Sequence, residues 1–192
     1  MVNLTRIYTR TGDAGSTRLG DMSETTKNDS RLHAYADVDE ANAVLGVALA
    51  GGGLEAEVVT LLTRVQNDLF DVGADFCTPV VADPEFPPLR IEQDYVDRLE
   101  RWCDDYNEHL PKLRSFILNG GTPAAAQLHV ARTVVRRAER SAWAAYDEHG
   151  ETMNVLAIKY LNRLSDLLFI LARHTNREHG DVLWKPGGER SE

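Results

Sequence analysis

From Leu32 onward, apolar residues return at steps of three and four in five successive stretches, a rhythm that leaves few ways to fold. In the first, Leu32, Tyr35, Val38, Ala41, Leu45 and Leu49 follow the capping types Asp29 and Ser30, and Gly51-Gly52-Gly53 ends the run. In the second, from about residue 54, Val58, Leu61, Leu62, Val65, Leu69, Val72 and Phe76 keep the period up to Pro79. The spacing of Ile91, Tyr95, Leu99 and Trp102 predicts a third helix over 91–108, ended by Pro111. Thr122-Pro123 reads as an N-cap followed by proline at the first helical position, opening a fourth helix to about 149. A fifth is predicted over 154–179. Pro84, Pro87 and Pro88 make 80–90 a connector.

No stretch alternates apolar and polar residues as a strand does. The fold class predicted is therefore all-α, a five-helix up-and-down bundle in a single domain of 192 residues. It divides into a Gly-, Thr- and Ser-rich N-terminal loop over 1–28, ordered or partly ordered, the bundle over 29–179, and a tail over 180–192. Pro186, Gly187 and Gly188 give that tail a mobile composition.

Hydrophobic residues are 43% of the chain and charged residues 27%, a globular balance. Acidic residues exceed basic ones by 30 to 21, a net −9, which argues against general nucleic-acid binding but not against one anion held at a local basic cluster. The longest apolar run, 167–172, falls well short of the about 18 residues of a membrane span. The first ten residues carry neither an apolar signal core nor an Arg-rich leader, so the expectation is a cytoplasmic protein. Cys77 and Cys103 are too few for a disulfide framework and read as buried, reduced thiols.

Four constellations have the chemistry for a site. Tyr8-Thr9-Arg10-Thr11-Gly12-Asp13-Ala14-Gly15-Ser16-Thr17-Arg18 combines backbone freedom, hydroxyl donors and two cations, the ingredients of a polyphosphate nest or of a plain surface loop. It is not a P-loop, because no Lys-Ser/Thr pair follows its second glycine. Arg132, Arg136 and Arg140 recur every four residues, lining one helix face with Glu139 beside them. That stripe suits an anion, a solvated face or a salt-bridged subunit contact. Asn162-Arg163-Leu164-Ser165-Asp166 sets an amide inside an apolar run, where a structural hydrogen bond is the simpler role. The carboxylates Asp39 and Glu40 stand early in the first helix, as solvated groups, as charges favoured near its N-terminus, or as partners for the arginines. No Glu-x-x-His, His-Glu-x-x-His, Gly-x-Ser-x-Gly or nucleotide-fold glycine motif occurs, and no metal ligand set is expected.

Taken in order, the 8–13 loop, Val38-Asp39-Glu40, Phe116-Ile117-Leu118 before Gly120-Gly121, Arg136-Arg137-Ala138-Glu139-Arg140 and Asn162-Arg163-Leu164-Ser165-Asp166 resemble the PduO-type ATP:cob(I)alamin adenosyltransferases. The resemblance runs over about 7–173. It implies a homotrimer of five-helix bundles with active sites between subunits, moving the 5′-deoxyadenosyl group of ATP onto the cobalt of cob(I)alamin. Mg²⁺ accompanies ATP, through ligands the resemblance does not give. Thr9, Arg10, Thr11, Gly12, Thr17, Arg18 and Lys27 then cradle the triphosphate; Arg136, Arg137, Glu139, Arg140 and Asn162 hold ATP. Phe116 lies beneath the corrin ring, and Asp39 and Arg132 bridge neighbouring subunits beside it. Arg10 stands where many members have Lys, and Asn119 where the family usually has Pro, which implies a less rigid loop after Phe116.

Cob(I)alamin is itself a strong nucleophile, which accounts for the lack of any triad or carboxylate pair. The protein has to align C5′ of ATP with cobalt and to stabilise the leaving triphosphate. A flavin- or thiol-based reductase and an adenosylcobalamin-dependent mutase are the expected partners. The alternatives are a non-catalytic carrier that holds ATP and cobalamin and delivers adenosylcobalamin to a mutase, and a purely structural bundle.

Overall fold

The computed structural model describes residues 7–84 and 86–189. The first six residues of the N-terminal loop and the last three of the tail lie outside the described residues. Among the described residues, five α-helices build the bundle: α1 (Ser30–Ala50), α2 (Ala56–Cys77), α3 (Gln93–Asn107), α4 (Pro123–His149) and α5 (Val155–Thr175). α4 lies in the middle, packed on α1 and α5; α2 covers α1, and α3 covers α5. The α1–α4 crossing is antiparallel, since Ser30 reaches Glu148 at one end and Arg137 reaches Glu40 further along.

Local chemistry sets the helix ends. Asp29 caps α1 by accepting the Arg31 amide, Thr122 caps α4 ahead of Pro123, and Asn154 caps α5. The face of α4 toward its neighbours is mostly alanine: Ala125, Ala131, Ala138, Ala142 and Ala145 are fully buried, so the helices approach closely. Leu45, Leu62, Leu69, Phe76, Leu128, Ile158, Leu161 and Leu164 fill the layers around it. Each such side chain contributes about 1.5–3 kcal/mol through burial.

Buried polar groups fix how the layers register. Asp75 accepts from Arg90 at 2.6 Å, from the Ile91 amide at 2.7 Å and from Asn154 at 2.6 Å, tying the 78–91 connector to the start of α5. Asp68 accepts from Arg98 at 2.7 Å and Tyr160 at 3.0 Å between α2, α3 and α5. Burial pushes the Cys103 thiol up to about 12 and also raises that of the half-buried Cys77, so neither is a thiolate at neutral pH.

The structure departs from the sequence reading in four places. The N-terminal loop contains a small antiparallel hairpin, β1 (Ser16–Arg18) with β2 (Glu24–Thr26), pairing Thr17 with Thr25. Three-residue strands are too short to show alternation. α3 begins at Gln93, since Glu92 before it is in extended backbone (φ −107°, ψ 169°) and Ile91 is held by its amide to Asp75 outside the helix. α5 ends at Thr175, where the Asn176 side chain turns to the Gly180 carbonyl and Gly180 takes a left-handed φ of 78°. The tail is tied down where it passes residues 115–118: the Leu118 amide donates to Val182 O at 2.8 Å and the Trp184 amide to Phe116 O at 2.7 Å. Among the described residues, no helix is long and apolar enough to cross a membrane.

Candidate active site

The hairpin shapes the first part of the site. Gly15, at φ 89°, turns its amide to Gly12 O at 3.2 Å, and the Lys27 amide closes on Gly15 O at 2.9 Å. The Lys27 ammonium therefore lies over Gly12, where an added β-carbon would come within 3.0 Å of Nζ. Thr11, Gly12, Thr17, Arg18 and Glu24 line a recess of about 650 Å³. The Thr9 and Thr11 hydroxyls are 2.9 Å apart, and Arg10, with its own left-handed φ of 64°, stacks over the Tyr8 ring at 5.5 Å. Hydroxyls and the Arg18 guanidinium line this recess beside the Glu24 carboxylate, and the Lys27 ammonium stands next to it over Gly12; hydroxyl donors and cations of this kind suit a polyphosphate.

Asp29 anchors this hairpin to the bundle. Besides capping α1, it accepts from the Thr25 hydroxyl at 2.6 Å and pairs with His149 Nε2 at 2.8 Å. Burial pushes the Asp29 carboxyl up, but these partners outweigh it and hold the group below its ordinary value. Gly20 adds a backbone bond to Cys77 O. All of these anchors sit at the α4 C-terminal end of the bundle.

The arginine stripe lies elsewhere on α4. Arg136 and Arg140 are exposed, and Arg132 is half-buried, donating to Asn119 Oδ1 at 3.0 Å. Asn119 thus gives Arg132 a hold that a proline could not. Burial, and then the Arg136 charge, pull the Arg132 guanidinium below its ordinary value. Arg137, next to the stripe in sequence, turns to α1, where it pairs with Glu40 and, at 3.6 Å, with Asp37. Asp39 is exposed on α1, and Arg132 bonds Asn119 rather than Asp39 within one chain.

Asn162, placed by the sequence in an apolar run, is exposed: it lies on the outer side of α5 and donates to Glu139 at 2.8 Å. Arg163 beside it pairs with Glu100 and Asp166.

The third part is aromatic. Phe116 is 81% exposed, so it is not a core residue. It stands edge-on to Trp184, with ring centroids 6.2 Å apart, at a cavity of about 630 Å³ that Arg132 and Phe169 also line. A neighbouring recess of about 830 Å³ shares Arg132 and Phe169 and reaches Arg136. Trp184 was missed from sequence; its signal is the apolar run Val182-Leu183-Trp184 inside an otherwise polar tail.

His149 and Arg136 are thirteen residues apart on α4, about 20 Å along the axis. The phosphate-type loop and the arginine-lined aromatic cavity therefore occupy separate stretches of one chain.

The described residues thus form a helical bundle with a hydroxyl-rich hairpin loop at one end and an arginine-flanked aromatic cavity further along. The family model described as cobalamin adenosyltransferase matches residues 7–175. Among relatives, the corrinoid adenosyltransferase of Mycobacterium tuberculosis is 64% identical over 190 residues, covering 99% of this chain and 98% of that protein. The corrinoid adenosyltransferase of Bacillus subtilis is 38% identical over 179 residues, covering 91% and 89%. A solved structure of a variant PduO-type ATP:corrinoid adenosyltransferase from Lactobacillus reuteri, complexed with cobalamin and ATP, superposes with a TM-score of 0.85 at 36% identity, covering 94% of this chain and 99% of that one. The chain belongs to the cobalamin adenosyltransferase family.

Proposed function

We propose that this protein moves the 5′-deoxyadenosyl group of ATP onto the cobalt of cob(I)alamin, with the residues above in defined roles. The cobalt electron pair forms the Co–C5′ bond, and the C5′–O electrons leave on triphosphate. Thr9, Arg10, Thr11, Gly12, Thr17, Arg18 and Lys27 hold the triphosphate and stabilise its developing charge. Arg136, Arg140 and the Glu139–Asn162 pair hold the nucleotide from the α4–α5 side, while Arg137 braces α4 against Asp37 and Glu40. Mg²⁺ enters as the complex with ATP.

Phe116 is the wedge beneath the corrin ring. Exposed beside Trp184 and Phe169, it displaces the lower axial ligand of cob(II)alamin and excludes water, which makes Co(I) easier to reach. The observation that carries the reading is this exposed aromatic in an apolar cavity directly beside Arg132.

The separation along α4 supports a site shared between chains. In that arrangement the loop of one subunit faces the stripe of the next, and Asp39 bridges to the neighbour's copy of the Arg132 position. A homotrimer in the cytoplasm, supplied by a flavin- or thiol-based reductase and drained by a mutase, fits this arrangement.

The test is anaerobic. Protein with MgATP and chemically reduced cobalamin is expected to convert cob(I)alamin absorbance into that of light-sensitive adenosylcobalamin. Tight binding of both substrates without conversion would overturn catalysis and leave a carrier.

A further inference from the structure

The end of α5 carries two buried polar side chains for which the transfer reaction has no use. Arg173 is 5% exposed and Asn176 is 7% exposed. Burying a guanidinium is costly unless it is fully partnered, and here the partners are specific. Arg173 Nε donates to Asp181 Oδ2 at 2.9 Å, and the same guanidinium donates to Pro111 O at 2.7 Å. Asn176 Oδ1 accepts the Thr122 amide at 3.0 Å, while its Nδ2 donates to Gly180 O at 2.7 Å.

The four partners fall into two pairs. Pro111 and Thr122 flank the segment that carries Phe116. Gly180 and Asp181 lead into the C-terminal strap that carries Trp184. Arg173 and the C-cap residue Asn176 thus each grip one point on either segment. Between the grips the segments pair through Leu118 with Val182, Trp184 with Phe116, and the Ser115 hydroxyl with Trp184 O at 3.1 Å. An isolated antiparallel bridge such as this one, Ile117 opposite Leu183, is marginal by itself. Gly121, at φ 99°, lies so close to the Asn176 amide that any β-carbon would collide with it. Phe169, one turn before Arg173, lines the same cavity as Phe116. The family match ends at residue 175, so Asn176 and the strap lie beyond it.

We propose that Arg173 and Asn176 are positioning residues: they clamp the Phe116 segment to the C-terminal strap and so set the shape of the cavity in which Phe116 stands. The proposal rests on the reading of that cavity as the corrin side of the site. The clamp carries no proton and touches neither substrate. It acts by fixing Phe116 and Trp184 relative to α5.

Asp181→Ala tests it, because Asp181 lies beyond α5 and outside the helical core. Three readouts are taken on the full-length protein, beside a melting temperature that checks the fold. The first is trypsin cleavage after Arg177 without substrates, which is expected to speed up. The second is turnover from cob(II)alamin with reductant against turnover from pre-reduced cob(I)alamin. A loss of about tenfold is expected in the former, the weight of one charge-assisted hydrogen bond, and a smaller loss in the latter. The third is the electron paramagnetic resonance signature of cob(II)alamin whose lower axial ligand is displaced, which is expected to weaken while ATP affinity holds. Asp181→Asn, which keeps an acceptor oxygen, is expected to recover part of each. Wild-type cleavage together with wild-type kinetics in Asp181→Ala overturns the clamp, as does an equal loss in both assays. Wild-type protein that makes no adenosylcobalamin sinks the transferase reading instead; the proteolysis then judges the clamp alone, and unchanged cleavage overturns it.

Discussion

Phe116 is large and apolar, follows a polar loop, and is 81% exposed in the folded chain. Folding alone does not favour that placement, because burying the ring would contribute about 1.5–3 kcal/mol. Phe116→Ala therefore costs the fold little and the reaction much. Turnover from cob(II)alamin is expected to fall by on the order of a hundredfold, with a clearly smaller fall from pre-reduced cob(I)alamin. Equal falls in the two assays would remove the wedge role. Other residue roles were less legible. Arg137 and Asn162 are ordinary letters in a helix, and only the packing of α4 on α1 and α5 shows that one turns to Glu40 and the other meets Glu139. Asn119 read as a loss of rigidity, yet its amide oxygen holds Arg132.

At the scale of elements, the helices were legible because each buries one stripe at a fixed period, and caps and glycines mark most ends. The hairpin was not, since three-residue strands carry no period and their pairing depends on the loop closing through Gly12 and Gly15. Nor was the strap, whose pairing partner lies more than sixty residues earlier in the chain. The joint between hairpin and bundle is Asp29, which serves Thr25, the Arg31 amide and His149 together. Asp29→Ala removes a cap, costing about 1 kcal/mol, and frees the hairpin. The expected result is a lower melting temperature with a raised KM for ATP and an unchanged KM for cobalamin, read from steady-state kinetics. An unchanged KM for ATP would mean that the hairpin is held without it.

For the molecule as a whole, the buried His129 adds a pH dependence to stability. His129 lies under the Phe116 segment, edge-on to Phe169 at 6.2 Å. Burial, and then the Arg132 charge, lower its pKa below the ordinary 6.5, against a small opposing pull from Asp181. As pH falls, the unfolded chain takes up the proton first. The stability associated with neutral His129 is thus complete above about pH 6.5 and is lost as pH drops through the lowered value. Thermal melts between pH 7.5 and 5.5 are expected to show a falling melting temperature, with a shallower slope in His129→Gln. Parallel slopes would assign the loss to other groups.

The spacing of loop and stripe along α4 also has a consequence for inheritance. A chain carrying Lys27→Ala has a defective loop but a sound stripe, and a chain carrying Arg136→Ala has the reverse. Each alone is expected to be inactive. Where the two co-assemble, a site that draws its loop from the second chain and its stripe from the first is whole, which random mixing provides at about a quarter of sites. Two dead alleles expressed together are then expected to restore a fraction of the activity, measured on refolded mixtures; no recovery on mixing would place the whole site within one chain.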